Sequence, residues 1–239
     1  MGPRLYQYER VASTMDVIHQ LAEHGAEAGT IVIAGEQLEG RGSRGRTWHS
    51  PLGGLWLSTL FRPPATGAIE VMSLRVGLAV ADALEPLVSL PIQVKWPNDL
   101  MLGDRKLGGI LCEARWQGGA LGWVAIGVGV NVRNPLPSGL PQAAISLAQV
   151  HPEITVEDTV TPIVAALRKI DLQAERLSAG ELDRFAERDW LSGREIGAPV
   201  RGRVSGLGED GALLVQTADQ SEIPLRSGSI ELAAVSPHQ

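Results

Sequence analysis

The residues best suited to chemistry form a loop in which arginine and glycine alternate. Residues 40–48 read Gly-Arg-Gly-Ser-Arg-Gly-Arg-Thr-Trp and bring three guanidinium groups and one indole within nine positions. Glycine permits tight turns and close backbone approach, and a planar guanidinium binds a carboxylate or a phosphate at two points. The pattern therefore predicts an anion-binding loop, with Trp48 as a flat surface on which a base can stack.

The surroundings of this loop decide between two interpretations. Arg-Gly repeats are also typical of disordered or RNA-binding segments. Here, apolar runs typical of strands precede the loop at residues 31–34 and follow it at residues 55–61. The whole chain has a net charge of −6, which disfavours nucleic acid as the partner. We therefore predict a short ordered loop that binds a small anion.

Two further motifs place polar groups beside predicted strands. Residues 95–100 read KWPNDL, and the fixed φ of the proline turns the chain so that Asn98 and Asp99 follow a strand. Residues 105–111 read RKLGGIL, with Lys106 at the start of a strand and two glycines after it. Taken alone, the first motif also fits a plain turn, and the glycines of the second fit either a ligand or a packing kink.

A fourth motif, at residues 127–132, reads GVGVNV. It lacks the Gly-Lys-Ser/Thr of a phosphate-binding P-loop and the spacing of a dinucleotide-binding fingerprint. We interpret it as a strand that carries one polar side chain, that of Asn131.

Helices and strands alternate along the part of the chain that must position these motifs. Polar N-cap candidates at residues 13–16 precede a helix that ends at Gly25, and apolar spacing predicts a second helix over residues 69–83, closed by Pro86. Strands are predicted at residues 31–34, 55–61, 92–96, 107–115 and 121–132. The last two are close enough in sequence to form a hairpin.

The C-terminal part of the chain changes character at Gly193. Before it, residues 156–191 predict two helices separated by Gly180, with Ala186 among the inward-facing residues. After it, short strands alternate with glycine-containing turns, which predicts a small barrel-like β domain. The fold class is therefore α+β with an appended all-β module.

Composition narrows the class of protein. No stretch approaches the roughly 18 apolar residues of a membrane span, and residues 1–6 lack the apolar run of a secretory signal. We therefore expect a cytoplasmic protein without a membrane partner. The single cysteine, Cys112, excludes an internal disulfide, and its apolar neighbours indicate a buried strand residue rather than a nucleophile.

Together, Gln37, the Arg-Gly loop and the three later motifs strongly resemble the catalytic domain of biotin protein ligases, across roughly residues 8–190. Residues 193–232 resemble the SH3-like C-terminal domain of that family. The resemblance implies an α+β fold with a mixed central sheet and flanking helices, as in class II synthetase-like biotin and lipoate ligase catalytic domains, plus a small SH3-like β-barrel. We expect a catalytic domain at residues 1–192 and a C-terminal domain at residues 193–239.

Within the family, the chain resembles the monofunctional ligases. Because the first motif helix begins near Ser13, we expect the N-terminal helix-turn-helix of the bifunctional repressor-ligases to be missing, and with it a DNA partner. The oligomeric state stays open, with a homodimer as one expectation.

The resemblance also implies a reaction. In this family the biotin carboxylate attacks the α-phosphate of ATP and gives biotinyl-5′-AMP and pyrophosphate. A lysine of a biotin carboxyl carrier protein, or of the equivalent domain of acetyl-CoA carboxylase, then accepts the biotinyl group and AMP leaves. The implied cofactors are ATP and Mg²⁺, with biotin as substrate. Fixed cations suit the first step, because it brings two anions together.

The site residues implied by the resemblance fall into four sets. The catalytic residues are Lys106, Arg41 and Arg46. The biotin-binding residues are Ser13, Thr14, Met15, Gln37, Arg41, Gly42, Ser43, Lys106, Gly108 and Gly109. The residues that bind ATP or the adenylate are Arg44, Arg46, Trp48, Asn98, Lys106 and Asn131. Asp99 is the implied Mg²⁺ contact.

Two positions depart from the family pattern. Family members commonly have an arginine in place of Ser43, and that arginine helps to retain the adenylate. We therefore predict that this chain releases biotinyl-adenylate faster than an arginine-bearing relative does. Met15 stands where asparagine is frequent after Ser-Thr, and its thioether is only a weak acceptor.

Two alternative functions are weighed against this prediction. A lipoate or octanoate ligase or transferase has a similar fold and also loads a carrier lysine, but it lacks the Arg-Gly loop, and the transferases rely on a cysteine nucleophile. The alternative from outside the enzymes is an arginine-rich RNA-binding module, which the acidic net charge disfavours.

Overall fold

A computed structural model describes residues 4–62, 68–139, 142–171 and 174–233. Residues 1–3, part of the N-terminal segment considered above, and residues 234–239, the end of the predicted C-terminal domain, lie outside the described residues. The described chain forms a seven-stranded sheet with helices on both faces and a second, five-stranded sheet. Among the described residues, no helix is long and apolar enough to cross a membrane.

The central sheet is mixed, which confirms the prediction. Its strands are β1 (Leu5–Val11), β2 (Ile31–Gln37), β3 (Leu55–Phe61), β4 (Ile92–Lys95), β5 (Asp99–Leu102), β6 (Arg105–Gln117) and β7 (Ala120–Val130). They lie in the order β1-β2-β3-β7-β6-β5-β4, and only the β1–β2 pair is parallel. The predicted β6–β7 hairpin turns at Gly118 and Gly119, whose φ angles of 57° and 83° favour glycine.

Helices cover the two faces of this sheet unequally. On one face, α1 (Thr14–Glu23) packs on β2, β3 and β7, and the Ser13 hydroxyl caps it by accepting from the Met15 backbone N–H at 3.3 Å. On the other face, α2 (Ala68–Val88) and α3 (Val156–Leu167) pack together against the sheet. The area of sheet that α1 leaves uncovered is the floor of the cavity described below.

The end of α2 differs from the prediction. The helix continues through Pro86 to Val88, so the prediction that Pro86 closes it was wrong. Proline cannot donate its backbone hydrogen bond, but Leu84 and Val88 are buried on either side of it and hold the last turn against the core.

The start of α4 (Ala179–Arg188) was also predicted wrongly. Gly180 lies inside the first turn of α4 rather than between two helices. A capping box sets this boundary, because the Ser178 hydroxyl accepts from the Glu181 N–H while the Glu181 carboxylate accepts from Ser178. Ala186 is exposed instead of facing inward.

The five C-terminal strands are β8 (Glu195–Ala198), β9 (Gly202–Leu207), β10 (Leu213–Gln216), β11 (Glu222–Leu225) and β12 (Glu231–Leu232). They form an antiparallel sheet in the order β11-β10-β9-β8-β12. In the described residues this sheet is open and does not close into the predicted barrel, although the arrangement is compatible with an SH3-like domain. Its buried side chains, such as Ile196 and Val215, belong to the same apolar core as the central sheet.

Candidate active site

The Arg-Gly loop folds as a small hairpin. Backbone hydrogen bonds join Trp48 to Gly40 at 2.8 Å and Gly42 to Arg46 at 2.7 Å. At the tip, Gly45 has a φ of 71°, a conformation that L side chains rarely adopt. The loop is therefore ordered by its own backbone pairing.

The stem of the hairpin is fastened to the end of β2. A Cβ on Gly40 would stand 2.4 Å from the Trp48 carbonyl oxygen and 2.5 Å from Ser50 Oγ, so only glycine fits there. Ser50 Oγ donates to the Trp48 carbonyl at 3.0 Å and accepts from Gln37 Nε2 at 2.9 Å. This contact places the loop beside the first turn of α1.

The start of α1 and the end of β2 share one hydrogen-bonded cluster. Gln37 Oε1 accepts from the Thr14 backbone N–H at 2.8 Å, from the Thr14 hydroxyl at 3.0 Å and from the Ser13 hydroxyl at 3.5 Å. The Thr14 hydroxyl also lies 2.7 Å from that of Ser58. Hydroxyl and amide groups can both donate hydrogen bonds to a ligand and accept them from it. The polar end of the cavity is therefore held in place before a ligand arrives.

Glycines form the floor beneath the loop. Gly109 and Gly129 lie opposite each other on β6 and β7, and the Trp48 indole rests on them. A Cβ on Gly129 would stand 2.6 Å from Trp48 Nε1, and one on Gly127 would stand 3.1 Å from Met15 Sδ. Trp48 Nε1 is buried and has no hydrogen-bond partner in the described part of the chain. The glycines thus leave a flat slot in which an aromatic ring fits.

Lys106 points to the same slot. Its Nζ lies 2.6 Å from Asp99 Oδ1 and 5.0 Å from the centroid of the Trp48 ring. The Lys106 and Asp99 side chains are 21% and 17% exposed, so water screens their attraction only in part. The carboxylate therefore fixes the ammonium group at the edge of the slot.

The two asparagines each have one end of the amide engaged by the fold. Asn98 Nδ2 donates to the Ile110 carbonyl at 2.7 Å, and Asn131 Oδ1 accepts from Asn134 Nδ2 at 3.0 Å. These bonds leave the oxygen of Asn98 and the nitrogen of Asn131 as the groups that a ligand can use.

The three loop arginines have different partners. Arg41 Nη1 lies 2.6 Å from Asp16 Oδ1, and its Nε lies 3.4 Å from Glu113 Oε1. Burial opposes the charge of Arg41, but the two carboxylates outweigh it and raise its pKa. Arg46 donates to the carbonyl and the hydroxyl of Ser43, at 3.2 and 3.0 Å. Arg46 therefore contacts neutral groups, whereas Arg41 contacts two acids.

These elements enclose a cavity of about 400 Å³, within the usual range for small-molecule sites. The predicted site residues that line it are Ser13, Thr14, Met15, Gln37, Arg41, Gly42, Ser43, Arg46, Trp48, Asn98, Asp99, Lys106, Gly109 and Asn131. Residues from five separate stretches of sequence thus converge on one volume.

Two predicted site residues do not line the cavity. Gly108 faces the core, where a Cβ would stand 2.5 Å from the Gly129 carbonyl oxygen and 3.3 Å from Leu100 Cδ1, so this glycine serves strand packing. Arg44 extends away from the cavity and donates to the hydroxyl of Ser229, in the segment between β11 and β12. Its φ of 61° turns the loop tip in that direction.

Several residues near the site were missed in the sequence. Asp16 was considered only as a helix cap, and Glu113 and His19 were not considered, yet the three lie in one chain of contacts to Arg41. A register argument was the available signal, because Glu113 follows Gly109 by four positions on β6 and therefore lies on the same face of the sheet. The remaining unpredicted lining residues include Thr47, His49, Trp56, Gln142 and Ala144.

Burial shifts the ionisation of two nearby groups. It lowers the pKa of Lys95, whose Nζ lies 3.2 Å from Gln142 Oε1 and 4.9 Å from the centroid of the Trp190 ring. It raises the pKa of the Cys112 thiol to about 12, which keeps that thiol protonated at neutral pH. Cys112 is thus the unreactive strand residue that its neighbours indicated, although it is half-buried rather than fully buried.

The described residues do not form a magnesium site made of protein ligands alone. No group of three His, Cys, Asp or Glu residues within residues 4–62, 68–139, 142–171 and 174–233 could hold a metal ion. One oxygen of Asp99 is already paired with Lys106. Mg²⁺ bound mainly through phosphates and water needs few protein ligands, so the Asp99 contact stays a prediction.

Comparison with known proteins assigns the chain and its fold to a family. The family model described as biotin/lipoate A/B protein ligase matches residues 8–131, which include all the motifs of the cavity. This chain belongs to the biotin/lipoate A/B protein ligase family. A second model, described as the biotin protein ligase C-terminal domain, matches residues 194–233 and so covers the second sheet.

Individual family members resemble the chain over different lengths. The biotin–[acetyl-CoA-carboxylase] ligase of Paracoccus denitrificans is 31% identical over 214 residues, which cover 80% of this chain and 86% of that one. The bifunctional ligase/repressor BirA of Bacillus subtilis is 35% identical over 154 residues, which cover 62% of this chain and 47% of that one. The chain thus spans about half the length of the first curated relatives it matches.

The family fold extends over nearly the whole structure. The biotin protein ligase from Aquifex aeolicus, solved in complex with biotin and ATP, superposes with a TM-score of 0.81 at 26% sequence identity. The superposition covers 97% of this chain and 99% of that one. Both sheets therefore belong to the shared architecture.

Proposed function

We propose that this protein is an ATP-dependent ligase that joins biotin to a lysine of a biotin carboxyl carrier protein through biotinyl-5′-AMP. One observation carries the proposal: a single cavity joins a neutral polar end, at Ser13, Thr14 and Gln37, to a cationic end at Lys106 and Arg46. Biotin has the matching polarity, with a ureido ring at one end and a carboxylate at the other. Family membership and the names of the relatives support the same assignment.

The polar end suits the ureido ring. This ring has one carbonyl acceptor and two N–H donors. When the ring binds, the hydroxyl protons of Ser13 and Thr14 can turn from Gln37 Oε1 to the ring carbonyl, and the Gln37 oxygen released in this way can accept from a ring N–H. Because these side chains are already bonded to one another, little ordering remains to oppose binding. Gly109 and Gly127 then give the aliphatic tail a smooth apolar floor.

The cationic end suits the first chemical step. One oxygen of the biotin carboxylate forms a bond to the α-phosphorus of ATP while the bond to the pyrophosphate oxygen breaks. Negative charge builds on the α-phosphate oxygens between two anions, and Lys106 and Arg46 stabilise it in a cavity that partly excludes water. Asp99 holds Lys106 in position. We assign the adenine to a stack on the Trp48 indole, with Asn98 and Asn131 beside it.

The second step transfers the biotinyl group. The neutral amine of the acceptor lysine attacks the carbonyl carbon of the mixed anhydride, an amide bond forms, and AMP leaves with the electron pair of the broken C–O bond. Lys106 and Arg46, which stabilised the phosphate in the first step, also stabilise the departing AMP. Mg²⁺, when bound with ATP, neutralises phosphate charge, and we assign it no protein ligand beyond the predicted Asp99. The cytoplasm is the proposed location.

Biotin-dependent exchange between ATP and radiolabelled pyrophosphate tests the proposal. We expect exchange with biotin and much slower exchange when lipoate or octanoate replaces it. Transfer of biotin to a carrier domain of acetyl-CoA carboxylase, detected by streptavidin, then tests the second step. Exchange that octanoate or lipoate supports as well as biotin does would contradict the assignment.

A carrier-lysine acyltransferase with a cysteine nucleophile is the competing activity. Such an enzyme needs a reactive thiolate, whereas the Cys112 thiol has a pKa of about 12 and lies on β6. We expect Cys112→Ala to keep full exchange activity. Loss of activity in this variant, together with absent biotin-dependent exchange, would favour the transferase instead.

A further inference from the structure

A chain of side-chain contacts runs from the interior beneath α1 to the first arginine of the loop. Trp123 Nε1 donates to His19 Nδ1 at 2.9 Å, and His19 Nε2 lies 2.9 Å from Glu113 Oε2. The other oxygen of Glu113 accepts from Arg41 Nε at 3.4 Å. His19 and Trp123 are 6% and 3% exposed. A buried pair therefore anchors the carboxylate that reaches the loop.

The direction of each hydrogen bond in this chain is fixed by chemistry. An indole N–H can only donate, so His19 Nδ1 must accept and the proton of the neutral ring sits on Nε2. His19 Nε2 then donates to Glu113, and this bond, with help from the Arg41 charge, lowers the pKa of Glu113. Glu113 is thus held as an oriented carboxylate with one oxygen for His19 and the other for Arg41.

Arg41 stands between two negative charges. Asp16 contacts it from α1 at 2.6 Å and Glu113 contacts it from β6. A phosphate that approached this guanidinium would also meet both carboxylates. Arg46 contacts only neutral groups of Ser43 in the described structure, and Lys106 is paired with one acid. Of these three cations, Arg41 has the least net positive charge to offer.

We propose that Glu113 is a positioning residue which, together with Asp16, fastens Arg41, and that Arg41 holds the Arg-Gly hairpin over the biotin end of the cavity. In this role the charge of Arg41 binds the hairpin to Asp16 and Glu113. Lys106 and Arg46 then supply the positive charge that stabilises the α-phosphate of ATP. The catalytic consequence rests on the proposed function, whereas the fastening of the loop does not.

Kinetics of pyrophosphate exchange distinguish anchoring from charge supply. Glu113→Gln removes the charge but keeps the size of the side chain and an acceptor for His19. If Arg41 anchors the loop, this variant raises the KM for biotin about tenfold, the effect of one charge-assisted contact, and changes kcat less than about twofold. Arg41→Gln then also raises the KM for biotin with little change in kcat. The double variant Glu113→Gln/Arg41→Gln has a KM for biotin no higher than that of Arg41→Gln alone.

The opposite pattern would overturn the proposal. If Arg41 supplied charge to the phosphate, Arg41→Gln would lower kcat about 100-fold with little change in the KM for biotin. Glu113→Gln would free the cation and leave kcat unchanged or higher. Additive losses in the double variant would also count against the proposal, because Glu113 would then act on something other than Arg41.

Proteolysis tests the fastening without any reference to activity. Trypsin cleavage after Arg44, followed by mass spectrometry on the full chain, reports how often the hairpin opens. We expect cleavage about tenfold faster in Glu113→Gln and in Asp16→Asn, a partly exposed position that carries little risk to folding. Arg115→Gln is the matched control, because Arg115 also contacts Glu113, at 3.5 Å, but has no contact with the loop in the described structure.

The two proposals fail in different ways. If the wild-type protein showed no biotin-dependent ATP–pyrophosphate exchange, the proposed function would be wrong, but the trypsin experiment would still test the anchoring role. Cleavage rates equal to wild type in both Glu113→Gln and Asp16→Asn would sink the anchoring role, whatever the activity. Accelerated cleavage in Arg115→Gln as well would also overturn it, because the effect would then be one of local stability alone.

Discussion

Lys106 and Asp99 act as a pair at the residue scale. The ammonium group lies 2.6 Å from the carboxylate, and both line the cavity where the proposed reaction gathers negative charge. Removing the lysine alone would therefore slow the proposed adenylation in two ways. It deletes a cation, and it leaves an uncompensated carboxylate facing the phosphate.

This pairing gives a prediction for two variants. Lys106→Gln should slow adenylation about 100-fold, equivalent to about 3 kcal/mol of transition-state stabilisation, by analogy with single oxyanion contacts. Adding Asp99→Asn should restore part of the rate, because the repelling charge is gone. Single-turnover formation of biotinyl-adenylate from α-radiolabelled ATP, without a carrier protein, measures both. A double variant slower than Lys106→Gln would instead indicate that Asp99 has its own role, such as the predicted contact with Mg²⁺.

Ser43 gives a second prediction at this scale. Its hydroxyl now accepts a hydrogen bond from Arg46 Nη2 at 3.0 Å. An arginine at this position adds a charge-assisted contact to the adenylate, so Ser43→Arg should slow adenylate release about tenfold. Ser43→Ala is the control, because it removes the hydroxyl and adds no charge. Off-rates from filter binding of labelled adenylate that are equal in wild type and Ser43→Arg would contradict the prediction.

The sequence predicts the residues of the cavity better than it predicts their partners. Fourteen predicted residues line the cavity. Those of the Arg-Gly loop and of the lysine and asparagine motifs have residue types that suit an anion or a base, whereas Ser13, Thr14, Met15 and Gln37 were predicted from the family resemblance. The partners of Arg41 could not be read from the sequence. Asp16 and Glu113 are separated from it by 25 and 72 positions, and only the packing of α1 and β6 brings them together.

Glycines on β6 and β7 decide the shape of the site at the element scale. Because side chains alternate along a strand, Gly127 and Gly129 present the same face to the cavity, and Gly109 lies opposite Gly129. Gly108, one position away, faces the core instead. The slot that holds Trp48 therefore exists because Gly109, and not Gly108, faces the cavity.

Gly129→Ala should disturb the slot more than the strand. Its Cβ would stand 2.6 Å from Trp48 Nε1, so the indole must move away. We expect the KM for ATP to rise about tenfold, as for the loss of one stacking contact of one to two kcal/mol. Gly122→Ala on the same strand is the matched control, since its nearest contact is the Arg115 carbonyl at 3.3 Å, far from the cavity lining. An unchanged KM for ATP in Gly129→Ala would contradict this assignment.

Elements with strong local signals were predicted well, and elements defined by long-range pairing were not. The β6–β7 hairpin has its glycine turn and alternating apolar residues, and both appear in the structure. β1 was missed because five of its seven residues are exposed and its parallel partner, β2, follows only after α1. β5 was missed because its four residues were taken as the loop after β4.

One buried acid influences the stability of the whole molecule. Asp189 lies at the end of α4, where burial raises its pKa to about 6 although it accepts a hydrogen bond from the Leu191 N–H at 2.8 Å. In the unfolded chain its pKa is about 4. Between these values the folded state binds more protons than the unfolded state, so the contribution of Asp189 to stability falls as the pH rises from about 4 to about 6.

Asp189→Asn should remove this pH dependence. Asparagine keeps an acceptor for Leu191 without a charge, so the variant should be more stable than wild type at pH 7, by up to about 3 kcal/mol. The advantage should vanish below about pH 4, where wild-type Asp189 is protonated in both states. Urea unfolding of both proteins from pH 4 to 7 measures the difference. A difference that does not vary with pH would contradict the pKa assignment.

The two sheets are joined too closely to behave as separate bodies. Trp96, in the turn between β4 and β5, donates its indole N–H to the Gly211 carbonyl at 2.9 Å, and Leu177 N–H donates to the Glu209 carbonyl at 2.8 Å. Buried side chains from both sheets belong to one core. The predicted boundary at residues 192 and 193 therefore marks a change of architecture, and the division into two domains stays a prediction.

The hydrogen bond from Arg44 to Ser229 bears on the order in which the protein folds. It joins positions 185 residues apart, and the Trp96 contact spans 115. Contacts between such distant positions form late, because the intervening chain must first lose its conformational freedom. During synthesis the second sheet emerges from the ribosome after the central sheet, so the hairpin tip and the turn before β5 gain these supports only after residues 211–229 have been made. We therefore expect the central sheet to form first and the candidate active site to mature late in folding.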